Sequence, residues 1–160
     1  MAEDVALELF PELDGVELIQ KVDLFRGLGY EDTLLVSSIA RVERFAAGAP
    51  LIEQASIGAA LYIVRAGEVT ISRVNSRGDE EPLTRLGPGS LVGEMALIES
   101  DLASANVRAA TDVEALVIPR EAFERLLDEH RNLALNVYKA FCRSLSERLR
   151  NTTIKLSEKR

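Results

Sequence analysis

The fold of this chain is indicated most strongly by the stretch Leu86-Gly87-Pro88-Gly89-Ser90-Leu91-Val92-Gly93-Glu94-Met95-Ala96-Leu97. Its first part predicts a tight turn, because proline fixes φ at about −65° and glycine tolerates backbone angles that other residues avoid. Its second part predicts another turn at Gly93-Glu94 that opens a helical segment with an acid near its start. Free N–H groups at such a place attract an anion, above all a phosphate.

The acid beside this predicted anion site narrows the class of ligand. A carboxylate repels a bound phosphate, unless the carboxylate accepts hydrogen bonds from neutral hydroxyls such as those of a ribose. The position of Glu94 therefore suggests a nucleotide. On these residues alone a second interpretation stays open, since glycine-rich stretches between strands are more often simple turns.

The composition excludes several classes of protein. A chain of 160 residues with 47% hydrophobic content is long enough for one folded domain, alone or with an appended helix. The net charge of −7 argues against a general nucleic-acid binder, which carries a basic face. No apolar run approaches the ~18–20 residues that span a bilayer, and the acidic N-terminus differs from a signal peptide. We therefore expect a cytoplasmic protein that binds neither DNA nor a membrane.

The chemistry of catalysis and of metal binding has few candidate residues. The chain has one cysteine, Cys142, and one histidine, His130, which is too few for an intrachain disulfide or a Cys/His metal site. A Ser–His or Cys–His nucleophile would have to use His130, which lies in a charged run typical of a solvated helix end. We therefore expect no catalytic residues, no metal ligands and no enzyme activity.

The periodicity along the chain predicts helices at both ends and strands between them. Residues 1–23 form an acidic arm with apolar residues at approximate helical spacing, and a short amphipathic helix follows with Leu34, Leu35, Ser38 and Ile39 on one face. From Val42 onward, short β-branched or aromatic runs separated by glycines predict a small sandwich or barrel. These runs are 41–45, 50–53, 60–64, 68–72, 81–86, 104–110 and 113–118.

A long helix is predicted from about Asn132 to Leu156, with two apolar stripes. One stripe, which contains Ala134, Val137 and Phe141, is suited to packing on the barrel. The other follows the alternating spacing of three and four of a dimerisation seam and consists of Leu135, Tyr138, Cys142, Leu145, Leu149, Thr152 and Leu156. The seam favours a parallel homodimer; the alternative is one wide face buried on the chain's own domain. Seven bases against two acids in residues 139–160 suit the helix C-terminus and are typical of a solvated face.

Three stretches in this order, 45–48, 61–69 and 87–97, resemble the cyclic nucleotide-binding domain family over about residues 24–156. The resemblance implies an α+β fold: mainly a β jelly-roll (double-stranded β-helix) barrel with N-terminal helices and a long C-terminal helix. It divides the chain into the acidic arm (1–23), the barrel with its flanking helices (24–131) and the long, dimerising helix (132–160). The implied ligand is cyclic AMP or cyclic GMP, without any further cofactor.

The family's ligand residues carry over unevenly onto this chain. The resemblance gives Gly93 as backbone donor, Glu94 as acceptor of the ribose 2′-hydroxyl, and the amides of Met95, Ala96 and Leu97 as phosphate donors. Ser104 matches the small or hydroxyl residue that contacts the phosphate. The family's phosphate-binding arginine falls on Ala103, so the cation is missing. Thr152 and Thr153 match a pair on the long helix that contacts the base in some relatives, about one turn later than counting predicts.

The loss of the arginine predicts weaker binding. A charge-assisted contact of this kind contributes about 1.5–3 kcal/mol, so its absence weakens binding roughly ten- to a hundredfold. Another arginine is needed to supply the missing cation. Strand alternation directs Arg108 to the face opposite residue 103, so the alternatives are a one-residue shift of the loop, Arg65 or Arg73. Glu94 is expected to lie beside the phosphate with no cation to offset its charge.

Two functional hypotheses follow from the resemblance. The first is a regulatory sensor: a cyclic nucleotide or related anion binds, the long helix moves, and an unidentified protein partner receives the signal. The second is a degenerate, ligand-free interaction and dimerisation module, because Ala103 replaces the phosphate-binding arginine. Since the chain ends at Arg160, without room for a helix-turn-helix, neither hypothesis includes DNA binding.

Overall fold

The computed structural model describes the backbone of residues 11–95 and 102–159, and the side chains of these ranges from residue 15 onward. Eight strands of these ranges form two four-stranded sheets, and all pairings are antiparallel. One sheet has the order β1-β8-β3-β6 and the other β2-β7-β4-β5. The strands are β1 (Arg41–Phe45), β2 (Pro50–Ile52), β3 (Ala60–Ala66), β4 (Val69–Val74), β5 (Glu80–Leu86), β6 (Leu91–Val92), β7 (Asn106–Ala109) and β8 (Val113–Pro119).

Helices precede and follow the barrel in the sequence. α1 (Pro11–Lys21), a 3₁₀ turn (Asp23–Phe25) and α2 (Tyr30–Ser38) precede it; α3 (Arg120–Glu129) and α4 (Arg131–Glu158) follow it. The 28 residues of α4 extend over about 42 Å, given a rise of about 1.5 Å per residue. The structure thus confirms the α+β fold and the long C-terminal helix. Within the described ranges, no helix is long and apolar enough to cross a membrane.

Two apolar cores hold the molecule together. The first joins the helices to the sheet that contains β3 and β8, and Phe25 and Phe123 meet there edge to face with ring centroids 6.0 Å apart. The second lies between the two sheets and contains Val64, Val107 and Ala115. Such buried apolar surface is the main favourable term in folding. The barrel and the helices around it therefore fold as one packed unit.

The two stripes of α4 have different surroundings. Val137 and Phe141 of the first stripe are buried in the helix core, and Ala134 packs against it, as the spacing predicts. The residues after Phe141 are exposed or half-exposed, up to Lys159. The seam residues Tyr138 and Leu149 are 51% and 69% exposed in the single chain. The apolar seam predicted from the sequence is thus present on the surface.

The structure departs from the sequence expectations at two elements. β6 is only two residues long and lies inside the glycine-rich stretch, so it carries no periodicity of its own. In α2 the buried residues are Thr33 and Val36, while Leu34 is 37% exposed. Leu35 and Ile39 of the expected α2 face pack against the helix core, so the expected face is wrong at Leu34 and Ser38, which are exposed. In the predicted arm at 1–23, residues 1–10 lie outside the described residues, and the rest contains α1. The division of the chain into three parts stays a prediction.

A left-handed glycine at the β3–β4 turn provides a test of this packing. A Cβ at Gly67 would lie 2.1 Å from the backbone oxygen of Asp112, and φ at Gly67 is +84°. Gly78, at φ +87°, has nothing within 4 Å of such a Cβ. Gly78→Ala is expected to lower the free energy of unfolding by about 1–2 kcal/mol through backbone strain alone. Gly67→Ala is expected to lower the free energy of unfolding by a further amount of about 1–3 kcal/mol, because its Cβ also overlaps the Asp112 backbone oxygen.

Urea denaturation of both variants at one protein concentration measures this difference. Equal losses for the two variants would show that the turn at Gly67 does not pack against Asp112.

Candidate functional site

A cavity of about 260 Å³ lies at the mouth of the barrel, between β6, β7 and α4; we call it the barrel cavity. Apolar side chains such as Ile52, Ile71 and Val107 form most of its wall. Five of the sequence-predicted ligand residues also line it: Gly93, Glu94, Met95, Ala103 and Ser104. Ala96 and Leu97 lie outside the described residues. The structure thus brings the two ends of the predicted ligand-binding segment to one place.

The turn at Gly93 positions the cavity's acid. Gly93 has φ +92°, and a Cβ there would lie 2.7 Å from the backbone oxygen of Ala60. Only glycine combines that backbone angle with such a close approach to β3. Since Glu94 is the next residue, its side chain is directed into the cavity and is only 14% exposed.

The opposite wall is fixed through backbone hydrogen bonds. Ala55 donates its N–H to the carbonyl of Ala103 at 2.8 Å, and Ala103 donates to the carbonyl of Ser56 at 2.8 Å. Ala55 adopts φ +65°, a left-handed angle unusual for a residue with a side chain. This strained loop holds Ala103 and Ser104 against the cavity. The backbone at Ala103, the position that the resemblance assigns to the phosphate-binding arginine, is therefore fixed on both sides, and its side chain is a methyl group.

Polar groups anchor β7 immediately after this wall. The Asn106 side-chain oxygen accepts the Gln54 N–H at 2.7 Å, and the Ser72 hydroxyl donates to Glu80 at 2.6 Å. The hydrogen bond from Ser72 is the main cause that holds the pKa of the Glu80 carboxyl below its ordinary value; desolvation opposes it, and Arg108 and Asn106 lower the pKa further. These contacts lie on the outer face of the sheet. They hold the strand in register while Val107 faces the cavity.

The Glu94 carboxylate is paired with an arginine from α4. Arg148 Nη2 lies 2.8 Å from Glu94 Oε1, and the Arg148 side chain is 56% exposed. Glu94 and Arg148 are the charged side chains among the described residues that line the barrel cavity, and Ser104 supplies a hydroxyl. The expectation that no cation lies next to Glu94 is therefore wrong. Sequence reasoning missed Arg148 because it lies 54 residues away, among the bases of an exposed helical end.

The arginines considered from the sequence as substitutes occupy other places. Arg65 Nη1 lies 3.0 Å from Glu114 Oε1, and Arg108 Nε lies 3.7 Å from Glu80 Oε1. Arg73 is exposed on β4. None of the three lines the barrel cavity as described. Arg148 is thus the cation that the described structure supplies there.

Thr152 and Thr153 lie on the exposed end of α4. Their hydroxyls donate to the carbonyls of Arg148 and Leu149, at 2.8 and 2.9 Å, along their own helix. Neither threonine is among the described residues that line the barrel cavity. Their role as base contacts stays a prediction. Both lie within two turns of Arg148, so a movement of α4 toward the barrel carries all three residues together.

The groups that converge on the barrel cavity are suited to binding. A carboxylate, a guanidinium and a hydroxyl stand at the edge of an apolar surface, the usual composition of a small-molecule site. The carboxylate accepts hydrogen bonds from ligand hydroxyls, and the guanidinium pairs with an anion.

The comparisons with known proteins agree on one family. The sequence profile described as "Cyclic nucleotide-binding domain" matches residues 42–130, more than half of the chain. The Cyclic AMP receptor protein of Thermus thermophilus is 36% identical over 124 residues, which cover 78% of this chain and 57% of that protein. The cGMP-dependent protein kinase, isozyme 1, of Drosophila melanogaster is 28% identical over 145 residues, covering 81% of this chain and 19% of the kinase.

The solved structures give the same result. The Thermus thermophilus Catabolite Activator Protein superimposes with a TM-score of 0.71 and 33% identity, over 84% of this chain and 62% of that one. The chain thus spans less than two thirds of the length of these relatives. The chain belongs to the cyclic nucleotide-binding domain family.

Proposed function

We propose that this chain is a regulatory module that binds cyclic AMP or cyclic GMP in the barrel cavity and signals through α4 to a partner protein. The observation that carries the proposal is the contact of Arg148 with Glu94, because it joins the predicted ribose-binding acid to the helix. The relatives named for cyclic AMP and cyclic GMP support this class of ligand.

The ligand is held by groups from both walls. Glu94 accepts the ribose 2′-hydroxyl, and the Ser104 hydroxyl donates to the phosphate. Arg148 turns part of its guanidinium toward the phosphate and so replaces the cation absent at Ala103. A guanidinium has five donors in a planar fork, which permits contact with a phosphate and a carboxylate together. The described charges of the cavity support this arrangement, since Arg148 is their cationic member.

Signal transfer follows from where Arg148 lies on α4. The helix is buried against the barrel through Leu133, Val137 and Phe141 but exposed beyond them. A ligand that draws Arg148 toward its phosphate therefore moves the free part of the helix relative to the barrel. Such differential binding shifts the population between two helix positions.

The second candidate is the ligand-free interaction module. Two observations favour it. Ala103 cannot supply a cation to a phosphate, and the Glu94 carboxylate already accepts a hydrogen bond from Arg148 without any ligand. In this case the ion pair is a permanent structural contact. The two candidates differ in whether the barrel cavity takes up a nucleotide.

A thermal-shift titration distinguishes the two candidates. Cyclic AMP or cyclic GMP at millimolar concentration is expected to raise the Tm by several degrees, because a ligand that binds only the folded state stabilises it. The 2′-deoxy analogue should give a smaller rise, since it lacks the hydroxyl that Glu94 accepts. Ala103→Arg should increase the rise by restoring the cation. A rise in Ala103→Arg together with none in the original chain supports the ligand-free module.

Substitution of Arg148 tests the source of the cation. Arg148→Met is expected to weaken binding of the cyclic nucleotide about 10- to 100-fold, through loss of a charge-assisted bond of about 1.5–3 kcal/mol. Lys155→Met removes a charge from the same exposed helix end, outside the cavity, and serves as the matched control. Calorimetric titration measures both affinities. Unchanged or tighter binding in Arg148→Met would contradict the proposed role.

We extend the proposal to a parallel homodimer formed through the α4 seam. Leu135, Tyr138, Leu149 and Leu156 are all large apolar residues that the single chain leaves exposed. They belong to the seam whose positions alternate by three and four residues, and this seam continues beyond Phe141, after which the helix is exposed or half-exposed. A twin helix buries this surface along its whole length.

The cysteine in the seam reports the geometry of the dimer. Cys142 is exposed in the single chain, and at a seam position it meets its copy when the helices are parallel and in register. Copper-phenanthroline oxidation is expected to give a disulfide-linked dimer, and Cys142→Ser to abolish it.

Leu149→Cys in the Cys142→Ser background should restore the link, since parallel helices pair equivalent residues at every seam position. A chain that stays monomeric by ultracentrifugation at about 100 µM, with neither link formed, would rule out the dimer.

A further inference from the structure

A second cavity, of about 340 Å³, adjoins the Glu94–Arg148 pair; we call it the helix cavity. The end of α1, the 3₁₀ turn, the loop before β6 and the middle of α4 form its walls. Its volume lies in the range of about 300–1,000 Å³ typical of small-molecule pockets. Glu94 and Met95 of the sequence-predicted ligand residues line it, and the rest of its lining comes from residues that were not assigned to the ligand.

The two cavities share one wall. Leu86, Leu91, Glu94, Met95 and Arg148 line both of them. Glu94 and Arg148 therefore border both cavities. A molecule in the helix cavity contacts the same two charged residues as a nucleotide in the barrel cavity.

The helix cavity has an apolar floor and a cationic rim. Leu24 and Phe141, which are 3% and 5% exposed, and the more exposed Leu145 form this floor. Lys21 lies at the rim, and within the described part of the chain it has no ion pair and no side-chain hydrogen bond. The hydroxyls of Ser90 and Ser144 also line the cavity without a described side-chain partner.

The charges around the cavity leave one positive group uncompensated. Arg26 Nη2 lies 2.7 Å from Asp23 Oδ1, and Arg148 Nη2 lies 2.8 Å from Glu94 Oε1, so both carboxylates are paired. Lys21 remains as the charge without a described partner. An apolar surface next to a single free ammonium and two free hydroxyls matches a molecule with an apolar body and one acidic end.

We infer that the helix cavity binds a small carboxylic acid with an apolar body, of the size of a medium-chain fatty acid. Its carboxylate pairs with Lys21, and its chain lies on Leu24 and Phe141. Such a ligand joins the end of α1 to the middle of α4. It therefore gives the chain a second input, at a site that adjoins that of the proposed function and shares Glu94, Met95 and Arg148 with it.

The probe for this site is decanoate, with decan-1-ol and decylamine as matched controls of equal chain length. The chain has two methionines, of which Met95 lines the shared wall and Met1 serves as an internal reference. Labelling the methionine methyl groups with ¹³C makes this wall visible by NMR. Decanoate is expected to shift the Met95 signal saturably, and the alcohol and the amine to bind at least about tenfold more weakly.

Two variants test the location. Lys21→Met, a change at an exposed position, should reduce decanoate affinity about tenfold; Ser144→Phe should abolish binding by filling the cavity. Lys155→Met should bind as the original chain does. Ser104→Trp fills the barrel cavity instead, so it should remove nucleotide binding and leave decanoate binding intact. Thermal unfolding of each variant checks that it is folded.

The outcomes separate this inference from the proposed function. Equal binding of decanoate and decylamine, or full affinity in Lys21→Met, overturns the acid site. Loss of decanoate binding in folded Ser104→Trp places the probe in the barrel cavity and overturns it as well. Failure of cyclic nucleotides to bind, with decanoate binding intact, refutes the proposed function alone.

Discussion

The close approach of the Gly93 backbone to β3 is the constraint on which the candidate site depends. A side chain at residue 93 would overlap the carbonyl of Ala60, so glycine alone permits the turn. This turn presents Glu94 at the mouth of the barrel, where the sheets leave a cavity. Without it, the carboxylate would not meet α4, and the ion pair with Arg148 would not form.

The energetics of that ion pair suit a contact that can be exchanged. Glu94 is largely covered, but more than half of Arg148 is open to solvent. Pairs with one exposed partner contribute only about 0–1 kcal/mol, since water screens them and a long side chain must be ordered. The buried residues Val137 and Phe141 anchor the first half of α4 far more strongly. Opening the pair therefore frees the outer half of the helix while the inner half stays attached.

Much of the fold could be predicted from the sequence because its signals are local. Alternation of β-branched residues gave most of the strands, and the apolar spacing of α4 separated Val137 and Phe141 from the exposed seam. β6 could not be predicted in this way, since two residues carry no period. In α2, the buried face depends on how the helix rotates against α1 and the barrel, and periodicity over nine residues defines that rotation poorly.

The site was predictable only where its residues are close in sequence. Gly93 and Glu94 follow from the physics of one turn, and Ser104 from the family's pattern. Arg148 belongs to a run of bases that resembles an ordinary solvated helix end. Only the tertiary position of α4 distinguishes it from Arg143 or Arg150, and no local property of the chain records that position. The absence of an arginine at Ala103 was visible in the sequence, whereas the cation that lies opposite was not.

The charge balance of the barrel cavity shows what the exchange of arginine for alanine changes. Glu94 and Arg148 sum to zero among its described lining residues, so a cyclic nucleotide with one phosphate charge leaves the occupied site with a net negative charge. An arginine at residue 103 would bring the occupied site to neutrality. Since charges in a partly buried site are screened less than those in water, this difference acts directly on affinity. Arg148 does not remove it, because its single positive charge is shared between the phosphate and Glu94. Under the proposed function, the alanine at residue 103 therefore weakens anion binding, and what remains of it is linked to the position of α4.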